Sequence, residues 1–189
     1  IFTAPRAAAD WLRSRGKRRV SLLLPEAAEE DFAGFELTGG NPEVVVVGDL
    51  GQDWSYHRLN EAFRQLVEGA ELVALHRNRY WRTPEGLQLD AGPFVAALEY
   101  ATGRRATVVG KPSRAFFQLA ASSLELDEDR VTVIGDDLEA DIGGAQTAGM
   151  RGVLVRTGKF REDVLEESEI TPDAICADLA EAVRALPTA

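Results

Sequence analysis

VTVIGDDLEADIGGA, residues 131–145, is the stretch that decides the fold class. Its first four residues are a β-branched run that reads as a buried strand, and the chain then reaches Gly135 and the paired acids Asp136 and Asp137, with Asp141 four residues further on. A strand that ends in Gly-Asp-Asp and turns into a helix places carboxylates at the carboxyl edge of a parallel sheet, where open α/β folds keep their ligands. Carboxylates this close repel one another unless a cation lies among them. Oxygen-only donors favour Mg²⁺, which keeps waters and takes one or two carboxylates plus a phosphate oxygen. Asp136, Asp137 and Asp141 are therefore candidate metal ligands; the alternative is a solvated acidic turn capping a helix, because Asp is a favoured N-cap.

The composition sets the bounds around that stretch. A chain of 189 residues suits one large domain or two small ones, and 45% hydrophobic residues supply a real core. No apolar run approaches the ~20 residues of a membrane-spanning helix, so a soluble protein with no membrane partner is expected. The net charge of −10, from 31 acidic against 21 basic residues, argues against a nucleic-acid partner. Cys176 is the single cysteine, which excludes an internal disulfide and Cys-based metal motifs and suits a reducing, cytoplasmic compartment. The chain starts at Ile1 in mid-pattern, with no signal segment, and reads as a fragment.

Before the central stretch, helical spacing with Thr3 as cap and Pro5 in the first turn predicts a helix over 3–15, followed by Gly16 and a strand over 20–24. A short helix over 27–33, a buried strand over 44–47, a helix over 55–68 and a strand over 72–75 come next. The apolar stripe of the second helix comprises Tyr56, Leu59, Ala62, Phe63, Leu66 and Val67. The connection that follows concentrates His76, Arg77, Asn78, Arg79, Tyr80, Trp81 and Arg82. Two readings stand: a loop lining a pocket for an anionic substrate, since Arg forks match phosphate and carboxylate, or a hairpin strand whose arginines face water. A helix over 92–100 and a strand over 107–109 lead to Gly110-Lys111-Pro112-Ser113. Ser113 caps a helix with Phe116, Phe117, Ala120 and Leu124 on its buried face. A cation just ahead of a helix gains nothing from the helix dipole, so Lys111 is either an exposed loop lysine or the neighbour of an anion. Beyond the centre come a helix to Ala148, a strand over 152–155, an acidic excursion over 162–169, a strand over 174–176 and a helix over 179–186. From Thr107 onward this alternation argues for a parallel, doubly wound α/β sheet.

GKPS at residues 110–113 and VIGDDLEADIGGA at residues 133–145, in that order and spacing, resemble the haloacid dehalogenase (HAD) superfamily of aspartate-dependent phosphatases. DAGPFVAALEYATGRRATVVGKP, IGDDLEADIGGAQTAGM and RTGKF are similar to its subfamily IIA, the branch of phospholysine phosphohistidine inorganic pyrophosphate phosphatase and its hydrolase-domain relatives. The resemblance implies a large α/β cap of the C2 type over 1–106 and the second half of a Rossmann-like HAD core over 107–189. It implies that Lys111 neutralises nucleophile and phosphate, that Asp136 binds Mg²⁺, and that Asp137 and Asp141 hold the metal's shell through water or hydrogen bonds. His76, Arg77, Asn78 and Arg79 become candidate substrate-binding residues, for a small phosphorylated substrate such as pyrophosphate or a phosphoamino acid. The family's nucleophile, in an Asp-X-Asp motif after an N-terminal strand, has no counterpart here; Asp127-Glu128-Asp129 lies in a polar turn. An incomplete phosphatase is therefore expected, with a homodimer through the cap or a sugar-phosphate or nucleotide phosphatase as alternatives. In the family's sheet the nucleophile strand lies beside the strand at 131–134, so an apolar edge is expected there.

Overall fold

The first helix forms where its start signals stand. In α1 (Ala4–Ser14) the Thr3 hydroxyl accepts from the Arg6 N–H at 3.2 Å and Pro5 occupies the first turn. The computed structural model describes residues 1–186, with the side chain of Arg82 outside the described residues. The chain divides into two units, Ile1–Gly110 and Lys111–Ala189.

The first unit is built on a parallel sheet with the strand order β2-β1-β3-β4-β7. These are β1 (Arg19–Leu23), β2 (Glu36–Leu37), β3 (Val44–Val47), β4 (Glu71–Ala74) and β7 (Thr107–Val108). Helix α1 and a 3-10 turn (Glu26–Phe32) cover one face, where Ala8, Leu12, Val20, Phe32, Val44 and Val46 pack. Helices α2 (Tyr56–Val67) and α3 (Ala91–Thr102) cover the other, packing Leu66, Val95 and Leu98 against Val45 and Val47. With helices on both faces, all four valines of β3 are 0% exposed, which is why the strand reads as an unbroken apolar run. Just ahead of it, Glu43 accepts hydrogen bonds from the backbone N–H groups of Arg19 and Arg18, each at 2.9 Å, and these hold its carboxyl below the usual range.

One expectation is corrected in this unit. Tyr56 and Val67 do not join the α2 stripe and are exposed; each lies more than about 100° round the helix from Ala62, past the flank that meets the sheet. Residues 80–89 form an antiparallel hairpin, β5 (Tyr80–Thr83) with β6 (Gly86–Leu89), as in the second of the two readings of that segment. Strand β7 pairs with Val73 and Ala74 of β4, where it completes the first sheet, and the first unit runs to Gly110.

The second unit holds a three-stranded parallel sheet of order β10-β9-β8, with β8 (Thr132–Gly135), β9 (Arg151–Val155) and β10 (Ala174–Cys176). The chain is thus α/β, with one parallel sheet in each unit. Helix α4 (Arg114–Ser123) starts at Ser113, whose hydroxyl accepts from the Phe116 N–H at 3.3 Å. Phe117 and Ala121 carry its burial, while Leu124 falls at its end and is exposed. A π-helical turn (Leu138–Gly143) runs into the short α5 (Gly144–Thr147); α6 (Glu162–Glu167) and α7 (Leu179–Ala185) follow. The acidic excursion thus forms an exposed helix. Asp173 ties the lead into β10 to β9, accepting from the Gly152 N–H at 2.7 Å, which holds its carboxyl below the ordinary range. No helix among the described residues is long and apolar enough to cross a membrane.

The stretch 131–134 reads as a buried strand with an apolar edge expected beside it; strand β8 does stand at the edge of its sheet, with β9 as its one strand partner among the described residues, and each of its residues is only half-buried. An edge strand leaves a row of backbone groups without ladder partners. Amide exchange followed by mass spectrometry or NMR is expected to be faster at Val133 and Ile134 than at Val45 and Val46, which lie between two paired strands. Equal protection at the two sites would contradict this.

Candidate active site

The carboxyl end of β8 gathers Lys111, Asp136, Asp137 and Asp141, all within the second unit. Asp141 is 6% exposed, and both of its oxygens are engaged: Oδ1 accepts from the Lys111 ammonium at 2.6 Å and Oδ2 from the Asp137 N–H at 3.2 Å. The anion that Lys111 faces is therefore a carboxylate of this chain. Gly135 makes that arrangement sterically feasible, since a Cβ there would fall within the Asp141 carboxylate. Asp137 is the N-cap of the π-helical turn, its Oδ1 accepting from the Ala140 N–H at 2.9 Å while its carbonyl accepts from the Asp141 N–H at 2.9 Å. Asp137 thus fills the capping role that is one of the two readings of the acidic pair.

Asp136 points the other way, toward the turn after β9. Its Oδ2 accepts from the Lys159 N–H at 2.7 Å, and the Lys159 ammonium lies 3.4 Å from Asp137 Oδ2. Gly158 has φ +53°, and a Cβ on it would sit inside the Asp136 carboxylate. From sequence, Gly158 and Lys159 enter only within RTGKF, and neither is given a place in the site. The signal was a Gly-Lys pair just past the end of a strand, the same arrangement as Gly110-Lys111.

Most carboxylate oxygens of this cluster are already engaged, which limits how it could hold Mg²⁺. Among the described residues no three carboxylates or histidines form a preformed cage. With Asp141 doubly engaged and Asp137 shared between its cap and Lys159, the Oδ1 of Asp136 is the carboxylate oxygen that accepts no hydrogen bond among the described residues. A cation that keeps its waters and takes a single carboxylate would fit this set through Asp136.

His76, Arg77, Asn78 and Arg79 follow β4 in the first unit. The Arg77 guanidinium forks the buried Glu99 carboxylate at 2.7 and 3.1 Å, and the Glu99 Oε1 also accepts from the Ala106 N–H at 2.9 Å. His76 Nδ1 is buried without a hydrogen-bond partner among the described residues, 3.6 Å from Asp90 Oδ1, which itself accepts from the Ala91 N–H at the start of α3. The carbonyls of Asn78 and Arg79 accept from the N–H groups of Gly92 and Asp90 at 2.9 and 3.3 Å. The segment is anchored by its backbone to the start of α3, and its first arginine is taken up by an internal carboxylate.

A HAD-hydrolase-like family model matches residues 108–182. The chain is 44% identical over 172 residues to haloacid dehalogenase-like hydrolase domain-containing protein 2 of Bos taurus, covering 91% of this chain and 64% of that protein. It is 40% identical over 183 residues to phospholysine phosphohistidine inorganic pyrophosphate phosphatase of Homo sapiens, covering 96% and 67%. Among solved structures, glycerol phosphate phosphatase from Mycobacterium tuberculosis in complex with magnesium superposes with a TM-score of 0.88 at 30% identity, over 95% of this chain and 56% of that one. The chain thus spans about two thirds of the length of these curated relatives.

The geometry separates two glycines that share a left-handed backbone. Gly16 (φ +68°) faces open space, whereas Gly158 (φ +53°) abuts Asp136. Gly16→Ala is expected to cost about 1 kcal/mol in urea unfolding, from the backbone alone. Gly158→Ala is expected to cost measurably more, and an equal cost would show that Asp136 does not constrain the turn.

Proposed function

The chain belongs to the haloacid dehalogenase-like hydrolases, and on that premise we propose that it supplies the lysine-and-carboxylate wall of a Mg²⁺-dependent phosphatase site. The observation that carries this reading is the 2.6 Å pair of Lys111 with the buried Asp141, set beside Asp136 and Asp137 at the end of β8. Phosphoryl transfer depends on positioning and charge neutralisation around a loose transition state. Lys111, aimed by Asp141, would bind the phosphoryl oxygens and offset the charge of an attacking carboxylate. Asp136 would hold the cation through Oδ1, its other oxygen being fixed by the Lys159 N–H. Mg²⁺, when bound, would polarise the phosphoryl group. The attacking carboxylate would come from residues beyond this sequence, a reading supported by the greater length of the curated relatives. Such a carboxylate splits one difficult displacement into two easier ones through an acyl phosphate.

The favoured substrate is a small phosphate compound such as pyrophosphate or a phosphoamino acid, in keeping with the name of the human relative. Within 76–79, Arg77 would have to leave Glu99 to meet such an anion, whereas the Arg79 guanidinium makes no ion pair among the described residues. The buried, unpaired thiol of Cys176 is in keeping with a cytoplasmic location.

A second reading, self-association through the first unit, draws on the hairpin, where Tyr80, Trp81, Leu87 and Leu89 are all exposed large apolar residues. Light scattering decides it: a dimer that Leu87→Glu with Leu89→Glu converts to monomer is expected, and a concentration-independent monomer would exclude it.

For the phosphatase reading, phosphate release from pyrophosphate, phospholysine and p-nitrophenyl phosphate is measured with the full-length protein. Asp136→Asn and Lys111→Ala are each expected to lower kcat/KM by about 10²–10³, the scale of removing one preorganised charge-stabilising group. The 189-residue chain alone is expected to release none. Turnover by that chain, abolished by Asp136→Asn, would overturn the division of the site into two walls.

A further inference from the structure

Lys159 touches the acidic pair twice, and the two contacts differ in kind. Its backbone N–H donates to Asp136 Oδ2 at 2.7 Å, in a turn held by the positive φ of Gly158 and its close approach to the same carboxylate. That contact cannot be broken without moving the turn. Its ammonium, 3.4 Å from Asp137 Oδ2, ends a flexible stem whose side chain is 66% exposed, against 28% for Asp137. An ion pair this long and this exposed is weak and readily released.

Charge counting gives the ammonium a role. Asp141 is neutralised by Lys111 at 2.6 Å, which leaves Asp136 and Asp137 as adjacent carboxylates. Among the described residues Lys159 is the cation that pairs with them. We propose that the Lys159 ammonium is a tethered counter-cation of this pair, which competes with a divalent cation for it and swings out when that cation enters. The proposal rests on the cation site centred on Asp136 advanced above. Two positive centres cannot share one acidic pair without mutual repulsion, and the weakly held ammonium is the one that yields. The backbone N–H stays in place throughout, so Asp136 remains aimed whichever cation faces it. Lys159 is accordingly a positioning residue with two separable functions, one in its backbone and one in its side chain.

The experiment uses the 189-residue chain and Mn²⁺ as probe, with the free ion followed by electron paramagnetic resonance. Lys159→Gln removes the charge and keeps the backbone donor, so it is expected to bind Mn²⁺ about two- to fivefold more tightly than the unmodified chain, the scale of one exposed ion pair. Lys159→Arg keeps the charge and is expected to match the unmodified chain. The gap between Gln and Lys is expected to narrow at high salt, a response that a merely structural role would not produce. Unchanged or weaker binding by Lys159→Gln, or tightening by Lys159→Arg as well, would overturn the proposal while leaving the cation site standing. Absence of Mn²⁺ binding in all forms, or binding indifferent to Asp136→Asn, would overturn the cation site and this proposal with it.

Discussion

A carboxylate buried as deeply as that of Asp141 must be both neutralised and hydrogen-bonded, because an unpaired buried charge costs several kcal/mol. That requirement organises the second unit. Lys111 meets one oxygen and the Asp137 N–H the other, so a residue from the connection ahead of α4, the end of β8 and the turn after it are tied through a single side chain. The absence of a Cβ at Gly135 gives the carboxylate its space. The widened, π-helical winding of Leu138–Gly143, a form found often at functional sites, is the local backbone answer to capping at Asp137 while turning Asp141 inward.

The parts of this arrangement that are local in sequence could be read without a structure. The strand at 131–134, the acidic triplet after it and Lys111 ahead of a Ser-capped helix each follow from residue order and capping chemistry. What could not be read depends on which edges meet in space. A two-residue strand such as β7 carries no pattern strong enough to declare its sheet, and its pairing with β4 is decided by the edge available to it. Lys159 lies 22 residues from Asp137, in a turn whose polarity says only that it is exposed. Tyr56 and Val67 show the same limit within one helix: the spacing admits them, but the width of the sheet surface beneath does not reach them.

The first unit repeats the electrostatic logic with the same signs, a buried carboxylate met by a basic side chain. Glu99, 7% exposed, draws the Arg77 guanidinium, the Ala106 N–H and, at 3.8 Å, Arg105. An arginine in an apparently substrate-facing loop is thus committed to Glu99, the carboxylate that itself joins α3 to the lead into β7. Residue type alone suggests recognition of an anion; the structure supplies the anion internally, as it does for Lys111.

The four valines of β3 carry a consequence of another sort. A strand with one wet face resists slipping by a residue, since the slip would turn its apolar side chains outward. Val44–Val47 has no such protection, because both faces are dry and every side chain is the same. Alignment against β1 must therefore be specified from outside the strand. Glu43 does this, gripping the N–H groups of Arg18 and Arg19 with its side chain while its own N–H donates to the Arg19 carbonyl at 2.9 Å. One glutamate at the surface thus works as a latch for a homopolymeric strand that would otherwise be free to misthread.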